Sequence, residues 1–231
     1  MNRNPPLRFV LIAALSAAGL AALSSAHTAT ARNELVSAPS RYLDEFSVHP
    51  RADLSRYHRF VMDPVRVEFH DDWLRSLNTQ RSVAQRVYPD DVQRVKGDMA
   101  SSLAAIVAEA FEAKGYEIGA TPGAGVMRIS VHVEDLSVNA PNAQYLAQTK
   151  ILARDVGQAT LIVELSDAGT GVLLARAVRR GTASAMGNFT RADDVSTRFW
   201  FDAMFRHWAR SCVEEFEAFK GRARPASSSS R

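Results

Sequence analysis

The chain has 231 residues, with 28 lysines and arginines against 25 aspartates and glutamates, a formal charge of +3 and a single cysteine. Residues 1–31 hold two arginines and no acid, so without them the balance is 26 − 25 = +1. Charges so evenly interspersed lack the basic stripe of a nucleic-acid binder, and one cysteine excludes an internal disulfide.

Arg3 and Arg8 precede an apolar, small-residue run from Phe9 to Leu23. A basic start, an apolar stretch of about 7–15 residues and an A-x-A-like site define a secretory signal. Ala29-Thr30-Ala31 fits cleavage best, with a second site after Ala26. The alternative is a retained anchor, but a membrane span needs about 20 apolar residues and this run is shorter. The expected mature protein is therefore periplasmic or secreted, with no membrane-spanning segment.

Residues 32–56 show no sustained periodicity and read as an extended lead-in. A single domain is expected over 57–220, followed by a Ser- and Pro-rich tail, 221–231, of disordered composition. Its first strand is His58–Phe69, where Val61, Val65, Val67 and Phe69 share one parity. Asp63 shares that parity, so it faces the core layer or sits in a bulge beside Pro64, which cannot donate to a ladder. The strand runs out into "FHDDW", Phe69–Trp73.

Pro89-Asp90-Asp91 opens a helix with acids in its first turn, favourable at the positive end of the dipole. Val92, Val95, Met99, Leu103, Ile106, Ala110 and Phe111 form one stripe, and Gly115 stops it. "YEI" is a short strand. Met127, Ile129, Val131 and Val133 alternate with Arg128, Ser130, His132 and Glu134, a half-buried strand with one wet face. Gln158–Ser166 repeats the pattern, "SDAGTG" turns, and Val172–Arg180 returns. Asp194–Lys220 is a long helix carrying Phe201, Phe205, Trp208, Cys212, Phe216 and Phe219, closed by Gly221.

The order β-α-β-β-β-β-α predicts an α+β fold: a two-layer α/β sandwich with a mixed or antiparallel sheet and two long helices. Connections 70–88 and 137–157 are longer than a bare fold needs, and long loops are often functional.

"FVMDPVRVEF", "AEAFEAKGYEI", "GVMRISVHVEDLSVNAPN" and "LIVELSDAGTGVLLARAVRR" come in an order that resembles the bacterial envelope family known as domain of unknown function 3313. Asp63-Pro64-Val65, Asp135-Leu136 with Asn139 and Pro141, and the Asp-x-x-Thr-Gly hairpin at 167–171 carry the likeness, over roughly residues 40–220. The resemblance implies an exported envelope protein with no assigned reaction or cofactor. Many such proteins are lipid-anchored, but this chain has no cysteine near the signal to accept a lipid.

Two readings of function follow. His70, Asp71 and Asp72 have the chemistry of metal ligands, and Asp63 that of a general base. Adjacent strand side chains point to opposite faces, so His70 and Asp71 cannot share an ion without a turn. The chain also has no H-x-H, H-E-x-x-H, C-x-x-C or G-x-S-x-G. No metal or cofactor is therefore expected, and a hydrolase or metal protein using Asp63, His70, Asp71 and Asp72 is the alternative. The preferred reading is a non-enzymatic binding or structural module of the envelope. Its partner would be an envelope protein or complex, and a homo-oligomer is compatible with it. The candidate contact surface is Trp73, Tyr145, Leu146 and Trp200, with Phe199 and Met204 beside Trp200 on an aromatic-rich helix.

Overall fold

A computed structural model describes residues 35–79, 81–138, 155–184 and 194–223. The chain divides into two units, residues 1–32 and 33–231, and everything described lies in the second. The strands are β1 (Val36–Ser37), β2 (Glu45–Val48), β3 (Arg59–Met62), β4 (Arg66–Phe69), β5 (Glu117–Ile118), β6 (Val126–Val138), β7 (Asp155–Asp167) and β8 (Leu173–Ser184). Among the described residues there are also three helices, α1 (Trp73–Thr79), α2 (Pro89–Glu112) and α3 (Asp194–Ala223), and two short 3-10 turns.

The eight strands make one mixed, open sheet in the order β1-β2-β8-β7-β6-β3-β5, with β4 also on β6. This is the α+β architecture read from the sequence. β6, β7 and β8 are antiparallel, whereas β3 and β4 both run parallel to β6. Two strands, β1 and β2, lie in the stretch that reads as a lead-in. Only Phe46 and Val48 of β2 face the core, too few positions to show a period, and the pairing comes from β8, far along the chain. The last helix also continues past Gly221 to Ala223.

Both long helices cover the same sheet face. Phe60 is fully buried opposite Met127, and its ring lies 5.0 Å from Phe111 of α2 and 6.0 Å from Phe216 of α3. Burying rings of this size supplies much of the core's driving force. Pro89 opens α2, and the Asp91 carboxylate accepts from the Tyr88 N–H (3.2 Å), satisfying a donor that the helix start leaves free. Gly115 at φ 84° ends it where the sequence places the stop.

Pro64 splits the first strand. Met62 pairs with Ile129 and Arg66 with His132, so four steps on one strand oppose three on the other, a one-residue bulge. The bulge reverses the faces. Phe60 and Met62 point to the helices before it, Val67 and Phe69 after it.

At the β6–β7 end, Gly157 passes so close to its neighbour that an added Cβ would stand 2.2 Å from the Ser137 carbonyl oxygen and 2.8 Å from the Phe201 ring. Only glycine fits there.

Candidate functional site

Asp63 sits at the bulge and faces away from the helices. Arg128 and Ser130, its neighbours on β6, are wet-face residues, and their side chains hold its carboxylate. The Ser130 hydroxyl donates to Oδ2 at 2.6 Å, and the Arg128 guanidinium pairs with Oδ1. Of the two placements read for Asp63, the structure shows the second, a bulge beside Pro64, which turns the carboxylate to the helix-free face. Its role there follows from geometry: an acid, a guanidinium and a hydroxyl close the gap that Pro64 leaves in the ladder.

His70, Asp71 and Asp72 form a turn. The His70 ring nitrogen Nδ1 lies 2.5 Å from the Asp71 carbonyl oxygen, and the Trp73 N–H donates to the His70 carbonyl at 3.0 Å. Asp72 adopts φ 62°, a left-handed conformation that aspartate tolerates, and pairs with Arg75 at 2.9 Å. These contacts launch α1. Asp63 and His70 are held far apart: the Asp63 N–H donates to Ile129 O and the His70 N–H to Leu136 O. Seven residue steps of strand separate those carbonyls, roughly 20 Å at the usual rise. Among the described residues no three histidine, cysteine, aspartate or glutamate side chains come close enough to hold a metal ion.

Of the expected contact surface, Trp73 is half-buried. Its ring stacks on Phe69 at 4.2 Å and its indole N–H donates to the Val138 carbonyl at 3.2 Å. Met204, expected to protrude, packs against the core. Trp200 belongs to α3, but its side chain, like that of Phe199, lies outside the described residues, as do Tyr145, Leu146 and the cleavage residues Ala29 and Ala31. Cys212 is buried in the helix layer, and burial pushes its thiol up to about 12.

Three polar clusters escaped the sequence reading. Asp167 is the first residue of the β7–β8 turn and is 6% exposed. Its Oδ1 caps the turn, accepting from the Thr170 N–H (2.8 Å) and Gly169 N–H (3.0 Å), while Oδ2 accepts the Tyr57 hydroxyl at 2.6 Å. Burial opposes the Asp167 charge, but the hydrogen bonds from Tyr57, Thr170 and Gly169 together prevail and hold its carboxyl below the usual range. Tyr57, fully buried, is pushed upward by burial and by donating to Asp167.

In the second cluster the Tyr116 hydroxyl donates to Glu217 and accepts from Lys220 Nζ (2.6 Å), whose ammonium also lies 4.7 Å from the Tyr116 ring centre. Burial first, then Glu217, drives the Tyr116 phenol upward. The third cluster is Glu215, 2% exposed within α3, which accepts the Ser40 hydroxyl at 2.7 Å and ties the chain before β2 to the last helix. Each cluster joins residues 100 or more positions apart. The one local signal was the Asp-x-x-Thr-Gly turn.

On the helix-free face the charges form a lattice. Glu45 of β2 lies directly opposite Val178 of β8, and its carboxylate reaches Arg180 (2.7 Å) and Arg176 (4.0 Å). Arg176 also reaches Glu164 of β7 at 3.4 Å. Ile162 and Val178, cross-strand partners beneath this lattice, are 6% and 2% exposed.

The family model described as "Protein of unknown function (DUF3313)" matches residues 44–211, and the chain belongs to that family. No curated protein matches. Among solved structures, two PelC dodecamers from Paraburkholderia phytofirmans are similar at 10% and 9% identity, with TM-scores of 0.36 and 0.35. The alignments cover 77% and 78% of this chain and 95% and 98% of those. A putative neuraminyllactose-binding hemagglutinin homolog from Helicobacter pylori is similar at 12% identity and TM-score 0.34, over 71% of this chain and 90% of that one. Among the described residues no helix is long and apolar enough to cross a membrane.

Proposed function

We propose that this chain is exported to the periplasm and acts there as a non-enzymatic binding module of the cell envelope. The observation that carries the reading is the separation of Asp63 from His70. The acid is bonded to Arg128 and Ser130 at the bulge, and the histidine belongs to a turn roughly 20 Å along the sheet. A hydrolytic or metal site would bring such groups to one point. The basic start and apolar run of residues 3–23 support export. An open sheet with exposed edges supports contact with another chain, since edge strands invite pairing.

The test is in-cell cross-linking of the tagged full-length protein, with mass spectrometry of the captured species and of the protein's own amino terminus. The expected result is a mature protein starting near Arg32 or His27 that brings down one envelope protein reproducibly. A full-length protein retained in the cytoplasm would overturn the export reading. Hydrolytic turnover lost in both Asp63→Asn and His70→Ala variants would overturn the binding reading.

A further inference from the structure

The outer edge of β4 carries a pattern that repeats under a two-fold axis. The His70 N–H donates to Leu136 O of β6, so the even-numbered residues of this strand turn their backbone groups inward to β6. Alternation then turns the N–H and C=O groups of Val65, Val67 and Phe69 outward. Among the described residues no strand pairs with that outer edge. Arg66 and Glu68 flank Val67, share the helix-free face with His132, and are both exposed. Neither has an ion-pair partner among the described residues, in contrast to the charges of β2, β7 and β8 on the same face.

We propose that this edge pairs antiparallel with the same edge of a second copy of the chain, about a two-fold axis at Val67. Val67 then exchanges both backbone bonds with its own counterpart, and Val65 exchanges them with Phe69 of the second copy. Arg66 falls directly opposite Glu68 of the second copy, and the reverse pair forms by symmetry. These are the non-hydrogen-bonded positions, where Cα atoms approach to about 4.5 Å and side chains lie closest. Opposite charges at such positions stabilise a strand pair. One charge of each sign, equally spaced about the axis, makes the edge self-complementary, as a two-fold interface requires. That self-complementarity selects a second copy over an unrelated strand. The sheet continues through the axis with both helix layers on one side. The inference goes beyond the envelope-module reading and stands or falls separately from it.

Sedimentation velocity of the purified exported protein over a concentration series tests it, with Glu68→Arg and the doubly reversed Arg66→Glu/Glu68→Arg. Wild type is expected to form a dimer. Glu68→Arg places arginine against arginine and weakens the dimer at least about tenfold, while the double reversal restores opposite charges and brings the dissociation constant back to within about threefold of wild type. Thermal unfolding by circular dichroism shows that each variant is folded. A wild type that stays monomeric throughout overturns the proposal. So does a folded Glu68→Arg protein that dimerises as wild type does, or a folded double variant that stays dissociated.

Discussion

The two faces of the sheet are made by the same strands and solve different problems. On the covered face Met127, Ile129, Val131 and Val133 are shut away from water beneath α2 and α3. On the other face their immediate neighbours Arg128, Ser130, His132 and Glu134 stay wet. Stability is concentrated on the first face, through apolar area removed from water. The second face satisfies charge with charge, Asp63 with Arg128 and Glu45 with Arg180, which adds little energy and makes a register slip unfavourable. The difference teaches where to look for function: Asp63, Glu45 and Glu164 are already paired, whereas among the described residues Glu68 and the outer backbone edge of β4 are not.

Substitutions sharpen that contrast. The largest effect belongs to the covered face, where Phe60→Ala removes the ring at the centre of the aromatic cluster and should cost about 3–5 kcal/mol in urea unfolding. Gly157→Ala drives a methyl into the Ser137 carbonyl and the Phe201 ring, with an expected loss of about 1–3 kcal/mol by the same assay. Tyr57→Phe takes the buried hydroxyl from Asp167 and should cost about 1–3 kcal/mol.

That last contact also has a pH signature. The folded Asp167 carboxyl lies below its unfolded value of about 3.9. Its contribution is therefore complete above that pH and is lost as pH falls through the lower folded value. Asp167→Asn should flatten this part of the acid-unfolding curve. Tyr57 works in the opposite sense: its raised phenol stabilises below about 10 and loses that contribution as pH rises through the folded value.

The helix-free face should give the smallest numbers. Glu45→Ala breaks exposed pairs and should cost under about 1 kcal/mol, with most of the difference gone in high salt. A larger, salt-independent loss there would break the comparison.

Much of this fold is legible in the sequence because its main elements have long periods. The stripe from Met99 to Phe111 and the alternation from Met127 to Val133 each repeat often enough to identify a helix and a strand. The side on which Asp63 lies was harder to read. Period-2 counting assumes an uninterrupted strand, and a single extra residue at Pro64 moves everything before it to the other face. β1 and β2 are too short to show a period; β2 exists by pairing with β8, well over 100 positions away, and β1 by pairing with β2. The clusters around Asp167, Tyr116 and Glu215 depend on equally distant partners, so spacing could not reveal them. "FHDDW" was legible as the place where the strand leaves the sheet, but the left-handed turn at Asp72 and the helix α1 that it starts were not.

We propose that this protein works by contact, with Asp63 and His70 serving its architecture. The most direct measurement is the in-cell cross-linking capture repeated side by side on wild type and on an Asp63→Asn/His70→Ala variant. The account predicts the same envelope protein, in equal yield, from both. A wild type that captures only itself would contradict the envelope partner while leaving the β4 pairing intact. Capture lost from a folded variant would contradict the claim that these two side chains are structural.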